Sequence, residues 1–154
     1  MLVISWEQFH KDVNDLALKL NGNPCADWPI LAIGRGGLVP AVMLSHMLGN
    51  GQRVYSFDHQ SYEGADKATR IWMQKWPPFE KGAFDELLMI DDMGDSGATL
   101  YNMGGVLTTL GVQRFETAVV YLRNWDVANK GKVWFGRVVE TTEWIEFPYE
   151  KSVI

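Results

Sequence analysis

The chain has very little cysteine, no basic excess and no long apolar run, and each scarcity excludes a class of protein. Cys25 is its one cysteine, so neither an internal disulfide nor a cysteine-rich metal site can form, and a cytoplasmic location fits. The formal net charge is −5 at pH 7, which argues against binding nucleic acid, because that function needs a basic surface. No run has the length of a membrane span and no signal-peptide pattern opens the chain, so we expect no membrane insertion.

What is present is the composition and pattern of one α/β domain over residues 1–154. The chain is 47% hydrophobic, enough for a real core. Ser5 and Gln8 have the spacing of a capping box, which predicts a helix running to about Leu20. Strands are predicted at 29–33, 53–57, 86–90, 115–122 and 133–139, and two more helices at 38–48 and 100–110. This alternation predicts a parallel sheet with a site at the carboxyl ends of its strands.

The most informative stretch runs from Leu87 to Thr99. Its apolar start predicts a buried strand that ends at Ile90, directly before two acids, Asp91 and Asp92. The loop that follows opens a helix and consists of Asp95, Ser96, Gly97, Ala98 and Thr99. Backbone amides at a helix start bind anions, and glycine allows close approach, so this loop is a candidate phosphate site. The acids would be repelled by a phosphate and would hold attached hydroxyls or a metal instead. The alternative is an ordinary acidic turn in which Asp95 or Ser96 caps the helix.

Two other segments have the composition of ligand sites. Gly34-Arg35-Gly36-Gly37 lies between a predicted strand and a predicted helix, where Arg35 and exposed amides can bind an oxyanion. The alternative is a tight turn with a solvated arginine. Near the C-terminus, 144–150 reads Trp-Ile-Glu-Phe-Pro-Tyr-Glu, and Trp144 could stack on a flat base. The alternative there is a strand whose Trp and Ile belong to the core.

Together these motifs resemble those of the type I purine phosphoribosyltransferases, and chain length and motif order are similar to the bacterial xanthine-guanine members. The acidic strand end with its Asp-Ser-Gly-Ala-Thr loop resembles their phosphoribosyl-diphosphate motif, and Gly34–Gly37 resembles their diphosphate loop. The resemblance implies a parallel-sheet, Rossmann-like phosphoribosyltransferase fold in a single domain, with a flexible loop at 59–78 and a small C-terminal hood at 140–154. It also implies a cytoplasmic homo-oligomer, a dimer or tetramer.

The resemblance further implies a reaction and a set of site residues. The substrates would be phosphoribosyl diphosphate and a purine base, with Mg²⁺ as cofactor. Asp95 would be the general base, and Arg35 would stabilise the leaving group. Asp91 and Asp92 would hold the ribose hydroxyls and the metal. The expected substrate-binding residues are Arg35, Gly36, Gly37, Asp91, Asp92, Asp95, Ser96, Gly97, Ala98, Thr99, Arg123, Trp144 and Ile145. A cis peptide bond between Gly34 and Arg35 is also expected on this resemblance.

One departure from the family pattern bears on the choice of base. The family has a lysine after the strand that follows the motif helix, where it donates to the 6-oxo group of the purine, whereas this chain has Arg123. Arginine is also a cationic donor, but it is longer, planar and forked. We therefore predict a 6-oxopurine, with guanine or xanthine ahead of hypoxanthine. Two alternatives stay open: a regulator of this fold that binds nucleotide without turnover, and a phosphoribosyltransferase for another base.

Overall fold

The computed structural model of the chain describes residues 1–49, 51–57, 80–123, 133–140 and 142–152. In chain order its elements are β1 (Leu2–Val3), α1 (Trp6–Leu20), a 3-10 turn (Pro24–Asp27), β2 (Ile30–Ile33), α2 (Leu38–Met47), β3 (Val54–Phe57), β4 (Glu86–Gly94), α3 (Ala98–Thr109), β5 (Arg114–Arg123), β6 (Val133–Val139) and β7 (Ile145–Glu146). The predicted loop at 59–78 lies outside the described residues.

A five-stranded parallel sheet in the order β3-β2-β4-β5-β6 forms the centre of the fold. β4 is the middle strand, paired with β2 on one side and β5 on the other. Because all five strands run the same way, the loops after β2 and β4 emerge side by side at one edge of the sheet. The predicted α/β fold with a parallel sheet is confirmed.

Helices cover both faces of this sheet. On one face, α1 and α2 contribute side chains such as Leu16 and Leu44 to a core with Leu88 and Ile90 of β4. On the other face, Met103 and Leu107 of α3 pack with Leu87 and Met89. β4 thus buries alternate residues on opposite faces, which explains why the sequence there is a continuous apolar run.

The predicted helix over residues 5–20 is confirmed, together with its start signal. Ser5 is the N-cap of α1, and its side chain accepts a hydrogen bond of 3.1 Å from the Gln8 amide. The Gln8 side chain does not return to Ser5; it donates to Asp12 at 2.9 Å. Of the two hydrogen bonds that define a capping box, the one accepted by the Ser5 side chain is present, and the one from the Gln8 side chain back to Ser5 is not.

The predicted end of the motif strand is wrong. β4 continues past Ile90 through Asp91 and Asp92 as far as Gly94. The reason is pairing with the long β5, in which Val119 lies opposite Asp91 and Leu122 opposite Gly94. The two acids therefore lie within the strand near its end, and not in the loop that follows it.

The C-terminal segment pairs with the start of the chain in a second, smaller sheet that the sequence did not reveal. β1 pairs in parallel with β7, with Leu2 opposite Ile145 and Val3 opposite Glu146. Phe147, just after β7, is buried against Phe9 of α1 with ring centroids 6.3 Å apart. Within the part of the chain described, no helix combines the length and the apolarity that crossing a membrane requires.

Candidate active site

The loop after β4 has the geometry of an anion cradle. Gly97 is the N-cap of α3 and has a φ of +78°, a left-handed conformation that favours glycine. Ser96 Oγ accepts from the Ala98 amide at 3.3 Å, while Gly97 itself has no side chain to cap the helix. The first amides of α3 therefore point toward the loop, as the first turn of any helix leaves them. The N-cap residue is Gly97 and not Asp95 or Ser96, although the Ser96 hydroxyl does accept from the first amide of the helix.

The glycine loop after β2 lies directly on β4. A Cβ atom added at Gly37 would come within 2.5 Å of the Ile90 carbonyl oxygen, and one added at Gly36 within 2.2 Å of Asp92 Oδ2. Both distances are shorter than side-chain packing allows, so this approach requires glycine at the two positions. Arg35, directly before Gly36, is exposed. No peptide bond in the described ranges is cis, so the predicted cis bond at Gly34–Arg35 is wrong for this structure; Gly34 makes the turn with a φ of +56°.

The two acids of β4 have different surroundings. Asp91 Oδ1 accepts from the Asp92 amide at 2.8 Å. Burial, and then the neighbouring Asp92 charge, raise the pKa of Asp91 well above its ordinary value. Asp92 is half-buried, and its Oδ2 accepts a hydrogen bond of 2.7 Å from the Tyr149 hydroxyl. Burial and this carboxylate raise the pKa of Tyr149.

The C-terminal segment presents one exposed ring and one backbone edge. Trp144 is 71% exposed, whereas Ile145 is buried. Leu2 donates its amide to the Trp144 oxygen at 2.8 Å, and Ile4 donates to the Glu146 oxygen at 3.0 Å. In a parallel pair successive residues alternate in direction, so the backbone groups of Ile145 face away from β1. The alternative that assigned Trp144 to the core is excluded by its exposure, whereas Ile145 does belong to the core.

Arg123, the last residue of β5, connects the phosphate loop with the C-terminal segment. Its side chain is 12% exposed and its Nη1 lies 3.8 Å from Asp95 Oδ2. Its Nη2 donates to the Glu143 backbone oxygen at 2.7 Å. The Nε is buried and has no hydrogen-bond partner among the residues described. A buried donor without an acceptor is costly, so a ligand acceptor at this position would be favourable.

A large groove lies beside this site without containing its charged groups. It has a volume of about 1030 Å³ and runs from Ser96 and Gly97 along α3 to Phe115 and Val133. Asp91, Asp92, Arg35 and Arg123 are not among its lining residues. The charged part of the candidate site is therefore the edge of the sheet around Asp92, and it shares only the loop residues Ser96, Gly97 and Ala98 with this groove.

The predicted site residues are thus brought together from four parts of the chain. The β2 loop, the end of β4, the end of β5 and the C-terminal segment meet around Asp92 and Asp95. Sequence reasoning missed Tyr149, although it lies in a segment predicted to cover the site. Its hydroxyl on an aromatic-rich turn was the available signal, but the partner is 57 positions away in sequence.

Comparison with known proteins agrees with this geometry. The family model described as phosphoribosyl transferase domain matches residues 5–152, and the chain belongs to that family. The curated relatives include the xanthine-guanine phosphoribosyltransferase of Gluconobacter oxydans (strain 621H), 33% identical over 96 residues. That match covers 62% of this chain and only 56% of the relative's own length.

Solved structures extend the similarity to nearly the whole chain. A purine phosphoribosyltransferase from Pyrococcus horikoshii Ot3 is 28% identical with a TM-score of 0.71, covering 99% of this chain and 95% of that one. A hypothetical protein from Neisseria gonorrhoeae with bound ppGpp has a TM-score of 0.76 at 22% identity, covering 97% and 90% of the two chains. The predicted family and fold are therefore confirmed, and the predicted enzyme class agrees with the names of the Gluconobacter and Pyrococcus proteins.

Proposed function

We propose that this chain transfers the 5-phosphoribosyl group from phosphoribosyl diphosphate to a 6-oxopurine base, giving the nucleoside monophosphate and diphosphate. The observation that carries the proposal is the position of the Asp92 carboxylate. It lies against Gly36 of the glycine loop after β2 and accepts a hydrogen bond from Tyr149 of the C-terminal segment. Three segments with separate expected roles, in diphosphate, ribose and base binding, therefore meet at one carboxylate.

The charges of the site suit this reaction. As the bond between ribose C1 and the diphosphate oxygen breaks, positive charge develops on the sugar and negative charge on the leaving group. Arg35 stabilises that leaving group, and the loop from Asp95 to Thr99 holds the 5′-phosphate through its amides. N9 of the base forms the new bond to C1, and Asp95 accepts the proton from N7.

The acidic pair fits a magnesium ion. Within the described ranges, no group of three or more His, Cys, Asp or Glu residues forms an all-protein metal site. Mg²⁺ characteristically binds one or two carboxylates and completes its shell with water and phosphate oxygens. Asp92 and Asp91 would hold it, and it would supply positive charge next to the departing diphosphate.

The base would lie between Trp144 and Arg123. The exposed indole of Trp144 offers a stacking surface, and the free backbone edge of Ile145 lies beside it. Arg123 has a buried Nε without a partner, which a 6-oxo group can accept from and a 6-amino group cannot. We further propose a role in purine salvage in the cytoplasm, as a dimer or tetramer.

The test is a steady-state assay with phosphoribosyl diphosphate, Mg²⁺ and guanine, xanthine, hypoxanthine, adenine or uracil in turn. We expect nucleoside monophosphate and diphosphate with guanine or xanthine, and at least about tenfold lower kcat/KM with adenine, because an unmet buried polar group costs about 1–3 kcal/mol. Equal or better use of adenine contradicts the role of Arg123. Tight binding of phosphoribosyl diphosphate or nucleotide without product from any base would indicate the regulatory alternative.

A further inference from the structure

The hydroxyl of Tyr149 is held in place by its surroundings. Its ring stacks on Phe147 with centroids 5.4 Å apart and an interplanar angle of 2°. Phe9 of α1 meets the same ring edge-on at 5.5 Å. The turn that carries Tyr149 is closed by Glu150, whose carboxylate accepts from the Phe147 amide at 3.0 Å. A ring with neighbours on two sides has little rotational freedom, so its hydroxyl defines a fixed point.

That fixed point determines which way the Asp92 carboxylate faces. Oδ2 accepts from Tyr149 at 2.7 Å, and the backbone of Gly36 lies against the same carboxylate. With Oδ2 held, Oδ1 remains for a ligand. Asp91 is different, because its Oδ1 is used by the adjacent Asp92 amide. Asp92 is therefore the acid whose orientation depends on a distant segment.

We propose that Tyr149 is a positioning residue that presents the Asp92 carboxylate to the ribose and metal of phosphoribosyl diphosphate, linking the base-covering segment to the ribose site. The inference rests on the proposed function of this site. It assigns a role to a hydroxyl that the reaction itself does not use. Without the hydroxyl, the Asp92 side chain gains rotamer freedom that ligand binding must remove again.

The test is Tyr149→Phe, which keeps the ring packing and removes only the hydroxyl. Binding of phosphoribosyl diphosphate with Mg²⁺ and without base is measured by titration calorimetry, alongside the melting temperature. We expect about tenfold weaker binding, in line with a hydrogen bond to a charged group, and little change in melting temperature. Unchanged binding overturns the proposal.

The chain offers a matched control in Tyr121→Phe. Tyr121 also donates to a carboxylate at 2.7 Å, that of the buried Asp12, which has no part in the proposed reaction. This variant should lower the melting temperature and leave ligand binding within about twofold, because its hydrogen bond is fully buried and structural. If both variants lose binding in proportion to their loss of stability, Tyr149 is merely structural and the proposal fails.

A double variant separates positioning from any other effect of the hydroxyl. In the Asp92→Asn background, Tyr149→Phe should cause little further loss of binding, since its effect passes through Asp92. An equal loss in both backgrounds contradicts the proposal. If the unaltered protein does not bind phosphoribosyl diphosphate, the proposed function fails. A crystal structure of Tyr149→Phe then decides the positioning role: a rotated or disordered Asp92 carboxylate supports it, and an unchanged one overturns it.

Discussion

Two carboxylates in this molecule have closely similar contacts and very different settings. Asp12 accepts from Tyr121 and Asp92 accepts from Tyr149, each at 2.7 Å. Each also lies where another chain segment approaches through a glycine. A Cβ added at Gly136 would lie 2.5 Å from the Asp12 backbone oxygen, as one added at Gly36 would lie 2.2 Å from Asp92 Oδ2.

The carboxylates of Asp12 and Asp92 differ in how many polar neighbours each one has. Asp12 is 2% exposed and has two further polar neighbours, the Gln8 side-chain Nε2 at 2.9 Å and the Arg137 guanidinium at 3.7 Å. Asp92 is half-buried, and Tyr149 is the one side-chain donor to it among the described residues. A buried carboxylate with hydrogen bonds to both oxygens stabilises a fold, whereas one held at a single oxygen can still bind a ligand.

Among the substitutions that compare the candidate site with the rest of the fold, Asp95→Asn should have the largest effect, which is on turnover. If Asp95 accepts the proton from the base, its loss should reduce turnover by about 10²–10⁴-fold while phosphoribosyl diphosphate still binds. The matched control is Asp15→Asn on α1, where the carboxylate pairs with Lys11 at 2.8 Å. That variant should retain full turnover, because a surface pair contributes little. A near-normal rate for Asp95→Asn rules out the general-base role.

The two glycines give the next largest contrast. Gly36→Ala should displace the Asp92 carboxylate and weaken phosphoribosyl diphosphate binding by at least about tenfold, with a small change in melting temperature. Gly136→Ala should instead destabilise the fold by about 1–3 kcal/mol, because its neighbours are backbone atoms that cannot easily move. Chemical denaturation and titration calorimetry on both variants measure the two effects. The opposite result, in which Gly36→Ala mainly loses stability and Gly136→Ala mainly loses ligand binding, would contradict the assignment of Gly36 to the site and Gly136 to the core.

Trp144→Ala should have the smallest effect on stability and a specific effect on the base. The ring is 71% exposed, so we expect the free energy of unfolding to change by no more than about 0.5 kcal/mol. Loss of stacking should raise KM for the base by about 5- to 100-fold with little effect on phosphoribosyl diphosphate binding. The control is Tyr101→Ala, at a residue 84% exposed on α3. It should leave both the KM for the base and the binding of phosphoribosyl diphosphate unchanged. An unchanged KM for Trp144→Ala would remove it from the base site.

The parts of the fold that depend on local pattern were predictable from the sequence. The N-cap of α1 at Ser5 and the bounds of β6 follow from capping chemistry and apolar periodicity. The end of β4 was not predictable, because pairing with β5 carries the strand through two acids that local preference would place in a turn. β1 and β7 have two residues each, too few to show any period.

The site could be predicted as a set of motifs but not as a set of contacts. The glycine loop and the acidic strand end are recognisable because each carries its chemistry within a few residues. The contacts of Arg123 with Glu143 and of Tyr149 with Asp92 join segments 20 and 57 positions apart, and only the folded chain brings them together.

The most direct measurement is a crystal structure of the protein with phosphoribosyl diphosphate and Mg²⁺. We expect the 5′-phosphate on the amides of Ser96 to Thr99 and the ribose hydroxyls at Asp92, with the Tyr149 hydrogen bond intact. Ligand bound in the groove beside α3, with Asp92 free of it, would contradict the assignment of the site.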